Sequence, residues 1–233
     1  MLIIAHRGAS TRLPENTMAT FLEAVKMGVK WIELDVRLSR DQQLLVYHDA
    51  AIGGRALCEM TAEEALAAAR KRRLAMPRLR DVMEVLSRLA PMEWGRAGLF
   101  VDCKDAGTER ALADLLVAEK FRDRCVVISF ERALVRNLKN LLPGVRTGIL
   151  SRRELSRPLE ALRETQADIF LPRHPLVSGK LVQKIHGAGY GLVTWTVNRA
   201  GEMRRLIRLG VDGIITDRPD RLQQVQESFG SQG

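Results

Sequence analysis

The chain has 233 residues, of which 46% are apolar, with 37 Lys and Arg against 28 Asp and Glu for a net charge of +9. That length allows one sizeable core within the range of a single α/β barrel, and the composition excludes a disordered chain. The absence of any apolar run near bilayer-crossing length argues against stable membrane insertion, and the positive surplus favours anionic partners.

In chain order, a short apolar run at 2–6 reads as a first strand. The start lacks a basic region and a long apolar stretch, so no signal peptide is expected. Met18, Phe21 and Val25 then recur at helical spacing before Gly28. A second strand follows at 31–36. The run 44–48 comes too soon after it for a helical crossover, so it reads as an antiparallel hairpin return. A helix ends at Arg70-Lys71-Arg72-Arg73, whose cations suit a helix C-terminus. No aromatics interleave with them, as nucleic-acid binding would want, so no nucleic-acid partner is expected.

Further strands are expected at 99–104, 125–130, 146–150, 167–171, 191–197 and 212–216. Helical patterns lie between them, including Leu134, Leu138 and Leu141 before Pro143-Gly144, and Leu181, Val182 and Ile185 before Gly187. Setting the hairpin aside, eight β/α units remain, the count of a (β/α)8 TIM barrel. The expectation is an α/β protein, one domain over 1–233, with a small β-hairpin arm after the second strand. A closing helix and a flexible tail at 228–233 end the chain. Cys58, Cys103 and Cys125 are odd in number and widely spaced, forming no disulfide or zinc pattern, which fits a cytoplasmic location.

The run 31–36 is unusual because it carries Glu33 and Asp35. Alternation puts Trp31, Glu33 and Asp35 on one face and Ile32, Leu34 and Val36 on the other. The apolar set suits the outer helices, so the carboxylates point into the barrel near its C-terminal end, where barrel sites form. Asp102 and Lys104 repeat the device. Two negative charges 4 to 5 Å apart repel by roughly 3–4 kcal/mol at an effective dielectric near 20. Either Glu33, Asp35 and Asp102 hold a hard divalent cation, Mg²⁺ or Ca²⁺, or Lys104 neutralises them as an ion-pair network.

His6 ends the first strand and His48 the hairpin return, so both project over the same mouth. Two imidazoles titrating near neutrality can serve as general base and general acid. Arg7 offers a fork for phosphate oxygens. Cation, Arg, Lys and two His together meet the needs of phosphodiester cleavage. His174, after the sixth barrel strand, stands on the same side. His186 ends a helix and is expected to interact with its dipole. No chemistry is assigned to Cys58 or Cys103.

These residues resemble the glycerophosphodiester phosphodiesterases. The stretch 5–49 is similar to that family's H-R-G, P-E-N-T, E-x-D and H-D series in order and spacing. The likeness continues through 76–86, 101–105 and 128–130, and closes with 193–198 and 212–219. It covers nearly the whole chain and leaves room at 50–75 for only a small excursion. The resemblance implies a TIM barrel and metal-dependent hydrolysis of glycerophosphodiesters to glycerol 3-phosphate and an alcohol such as choline or ethanolamine. His6 and His48 would be the acid/base pair, Arg7 and Lys104 would bind phosphate, and Glu33, Asp35 and Asp102 would bind the cation. Asp102 stands where the family commonly has Glu in an E-x-K motif, one methylene longer. Trp195 resembles an aromatic wall beside the glycerol, or is simple barrel packing. Glu15 would support the metal or phosphate site, and Asn16 would cap the following helix.

The absence of a serine or cysteine nucleophile fits attack by the substrate's own 2-hydroxyl. A lysophospholipase D acting through the same site, and a non-catalytic phosphate- or nucleic-acid-binding barrel, are the competing readings. The mostly short, polar loops favour a soluble diester, and the histidine pair favours an enzyme.

Overall fold

Apolar strands of period two, separated by amphipathic helices, fold in this computed structural model into a closed ring of parallel strands sheathed by helices. Residues 1–10, 13–89 and 97–230 are described. The elements run β1 Leu2–His6, α1 Met18–Lys26, β2 Trp31–Leu38, β3 Leu44–Val46, β4 Ala51–Ile52, β5 Arg55–Ala56, α2 Ala62–Lys71, α3 Leu79–Arg88, β6 Gly98–Cys103 and α4 Thr108–Ala118. They continue with β7 Cys125–Ser129, α5 Arg132–Leu141, β8 Arg146–Ser151, α6 Pro158–Thr165, β9 Ile169–Pro172, α7 Gly179–His186, β10 Gly191–Thr194, α8 Ala200–Leu209, β11 Gly213–Thr216 and α9 Pro219–Gly230.

The ring order is β1-β11-β10-β9-β8-β7-β6-β2, closed by β1 against β2, all pairs parallel. This is a (β/α)8 barrel. The expected hairpin arm is β3, antiparallel to β2 outside the ring, with Val36 opposite Val46. The segment between β3 and α2 adds a two-stranded ribbon, β4 with β5, and one short 3-10 turn at Leu57–Glu59.

Strand alternation divides the core into layers. Ile32, Leu34 and Val36 of β2 and Val101 and Cys103 of β6 pack outward under α1, α3 and α4. Ile4, Phe100, Val126, Ile128, Leu150, Leu171, Val193 and Ile215 fill the barrel, with Trp31 and Trp195 packed against them. Each such side chain, fully buried, contributes about 1.5–3 kcal/mol. The inward carboxylates must offset that contribution with partners.

Three details differ from the sequence reading. Regular pairing of β10 stops at Thr194: Trp195 keeps one bridge to Arg173, and then the Val197 N–H turns to the Ile215 carbonyl at 3.0 Å. Leu141, expected inside, is exposed at the end of α5, where Val135 takes the buried position. Helix α9 runs to Gly230, into the segment read as a tail, and residues 231–233 lie outside the described residues. Among the described residues no helix is long and apolar enough to cross a membrane.

Candidate active site

Parallel register between neighbouring strands assembles the cluster. His6 of β1 stands beside Glu33 of β2, and Asp35 of β2 beside Asp102 of β6. These pairs lie at the C-terminal end of the barrel. They line a cavity of about 200 Å³ together with Arg7, His48, Lys104, Ile128, Phe130, Leu150, Arg152, Trp195, Thr196 and Ile215. Of the residues singled out in the sequence, Glu15, Asn16, His174 and His186 are not part of this lining.

Oxygens of the buried Glu33, Asp35 and Asp102 lie within 4.8 Å of one another. Asp35 is fully engaged: Lys104 Nζ is 2.7 Å from its Oδ1, and Asn16 Nδ2 donates to its Oδ2 at 2.8 Å. Arg7 Nε also lies 2.8 Å from that Oδ2, off the line of a hydrogen bond. Burial works against its charge, but Lys104 and Arg7 hold its carboxyl below the usual range. Glu33 accepts from the Arg7 N–H at 3.0 Å. Burial and the Asp35 charge push its carboxyl up to about 7. Asp102 pairs with Lys104 through Oδ2, while its buried Oδ1 has no partner, and burial raises its carboxyl.

Two fixed cations therefore face three carboxylates, and one buried acceptor is orphaned. The geometry is compatible with both readings of the cluster. Lys104 bridges Asp35 and Asp102, yet the remaining charge and the orphaned Oδ1 fit a divalent cation with oxygen ligands. Glu33, Asp35 and Asp102 are the residues that could hold it.

Each cavity histidine carries a carboxylate on Nδ1. His6 Nδ1 is 2.6 Å from Asp217 Oδ1, and His48 Nδ1 is 2.8 Å from Asp49 Oδ1. A carboxylate is an acceptor only, so Nδ1 bears the proton and Nε2 is left for other partners. His6 Nε2 lies 3.9 Å from Glu33. Burial opposes the His6 charge, but Glu33 and Asp217 outweigh it and raise its pKa. Asp217 is itself held by Asn198, whose Nδ2 donates to Oδ2 at 2.6 Å and whose Oδ1 accepts from the Asp217 N–H at 2.9 Å. His48 is held through its backbone. Arg37 donates from Nε and Nη2 to the His48 carbonyl at 3.0 and 2.9 Å, and pairs with Asp105.

Sequence reasoning did not single out Asp217, Asn198, Arg37, Asp105, Phe130 or Arg152. A signal existed for Asp217, a charged residue one step past a barrel strand. Asn16 is a correction: Thr17 caps α1, accepting from the Thr20 N–H at 3.3 Å, while Asn16 grips Asp35. His186 pairs with Asp212 at 2.8 Å, and His174 lies 3.4 Å from Glu202 in a separate groove. Trp195 lines the cavity and also packs in the barrel, its Nε1 donating to the Leu171 carbonyl at 2.8 Å. Exposed Glu15 pairs with Arg7 Nη1.

The turn after β1 sets Arg7. Arg7 and Gly8 have φ of 54° and 85°, and a Cβ on Gly8 would lie 2.5 Å from Thr20 Oγ1. Gly8→Ala is expected to destabilise the fold by about 1–3 kcal/mol, read as a lower urea midpoint, with activity falling alongside as Arg7 shifts.

The glycerophosphoryl diester phosphodiesterase family matches residues 6–221. A glycerophosphodiester phosphodiesterase from Caldanaerobacter subterraneus subsp. tengcongensis is 32% identical over 235 residues, spanning 95% of this chain and 96% of the relative. One from Bacillus altitudinis is 26% identical, spanning 97% and 98%. In fold, the chain is similar to a phosphodiesterase from Oleispira antarctica solved in complex with the product sn-glycerol-3-phosphate. The TM-score is 0.86 at 24% identity, covering 97% of each chain.

Proposed function

The chain belongs to the glycerophosphoryl diester phosphodiesterase family, and on that premise we propose that its barrel mouth hydrolyses small glycerophosphodiesters with His6 and His48 as the acid/base pair. The observation that carries this reading is the convergence of two imidazoles, each with Nδ1 on a carboxylate, on the cavity that holds the acidic trio. Products are glycerol 3-phosphate and an alcohol, among them choline and ethanolamine.

One histidine takes the proton of the substrate's 2-hydroxyl at Nε2. That oxygen bonds to phosphorus, the bond to the leaving alcohol breaks, and the other histidine gives the alcohol its proton. Water then opens the resulting cyclic phosphate with the histidine roles exchanged. Asp217 and Asp49 keep the Nδ1 protons in place throughout. Arg7 and Lys104 bind the phosphate oxygens, and Glu15 acts through Arg7, since a carboxylate would repel the phosphate itself. Trp195 forms the wall beside the glycerol. Glu33, Asp35 and Asp102 would hold a Mg²⁺ or Ca²⁺ ion, which when bound would supply Lewis-acid stabilisation of charge on the phosphoryl oxygens. A cavity of about 200 Å³ suits a headgroup diester better than one carrying an acyl chain.

The test compares sn-glycero-3-phosphoethanolamine with its 2-deoxy analogue. Loss of the vicinal hydroxyl should slow release of the alcohol by at least about 10³-fold. Comparable turnover of the two would rule out attack by the 2-hydroxyl.

A further inference from the structure

Three cations line the cavity. Arg7 is engaged by Asp35 and Glu15, and Lys104 by Asp35 and Asp102. The third, Arg152, is exposed just past the end of β8 and makes no hydrogen bond or ion pair among the described residues. Its contact is cation–π, with the guanidinium carbon over the Phe130 ring, 4.3 Å from the centroid. With no hydrogen bond or ion pair made among the described residues, its N–H fork is unspent. The Ser151 hydroxyl donates to the Arg153 carbonyl at 2.6 Å and pins the turn that carries it.

Position gives this fork a role. In the eight-strand ring β8 lies four steps from β1 by either route, so Arg152 sits across the mouth from His6 and Arg7. Around it the lining is Ile128, Phe130, Leu150 and Trp195, and the Trp195 N–H is already spent on Leu171. Phe130 meets Trp195 edge-on at 5.6 Å. An ammonium on a bound alcohol would seek an aromatic face here, but the Phe130 face is occupied by a cation.

We infer that Arg152 receives an anionic group on the leaving alcohol, so that the site prefers glycerophosphodiesters whose alcohol carries a carboxylate or a phosphate. This rests on the mouth being a glycerophosphodiesterase site. Positive charge at the rim raises the local concentration of such substrates, and the fork fixes the alcohol end while Arg7 and Lys104 hold the phosphate.

Two substrate pairs isolate the anion. The serine and ethanolamine diesters differ by one carboxylate, and the inositol 4-phosphate and inositol diesters by one phosphate. kcat/KM is measured for all four with wild type, Arg152→Ala and Arg152→Glu, each checked by thermal melting. The anionic member should be favoured about fivefold by wild type, within about twofold of its partner in Arg152→Ala, and disfavoured in Arg152→Glu. The pair with the larger wild-type ratio names the anion. Ratios that are the same in all three proteins, with every protein active, overturn the role of Arg152 and leave the diesterase reading standing. A folded wild type that cleaves none of the four overturns both.

Discussion

His6→Ala is expected to lower kcat by about 10²–10⁴-fold, the range for loss of a positioned acid or base, with a much smaller change in KM. The ring lies at the end of β1, 2.6 Å from Asp217 and 3.9 Å from Glu33, where it can move a proton without forming the phosphate pocket itself. Asp217 keeps its two contacts with Asn198 in the variant, so the fold around it should hold. Steady-state release of glycerol 3-phosphate gives both constants, and a melting curve checks folding. Turnover within a few-fold of wild type would remove His6 from the chemistry. A matched rise in KM with kcat unchanged would assign it to binding instead.

The second large effect is at Asp35. Its carboxylate is the shared partner of Lys104, Arg7 and Asn16, and it is buried. Asp35→Ala leaves two cations without their central counter-charge. Breaking a buried pair from one side costs roughly 3–5 kcal/mol, and urea unfolding in chelator should show a loss of that order, with activity undetectable. Asp102→Asn provides the contrast. It removes a carboxylate whose Oδ1 has no partner and whose charge is opposed by burial. In chelator its stability should equal or exceed wild type, while the stabilisation that a divalent cation gives to wild type should disappear. Equal stability of Asp35→Ala and wild type would mean that Asp35 does not organise the cluster.

Much of this was legible because strand period is a strict signal. The alternation in 31–36 places Glu33 and Asp35 inside and Ile32, Leu34 and Val36 outside, and the barrel reproduces that division. The hairpin return was legible from its short connection. What stayed hidden depends on closure of the ring. His6 and Asp217 are 211 residues apart, and only the β1–β11 pairing makes them neighbours. The clamp of Arg37 on the His48 carbonyl likewise follows from how the arm folds back over β2. Asn16 illustrates a local ambiguity. An Asn before a helix is a good cap, but Thr17 takes that role and frees the amide for Asp35, with Asn16 itself at a φ of 57°.

The most direct test is release of glycerol 3-phosphate from sn-glycero-3-phosphoethanolamine by purified protein, after chelation and after Mg²⁺ or Ca²⁺ is returned separately. Activity that disappears with the chelator and returns with one of the ions is the result the account predicts, and the ion that restores it is the one the trio holds. Full activity in chelator would contradict it, leaving Lys104 and Arg7 as the groups that neutralise Asp35 and Asp102.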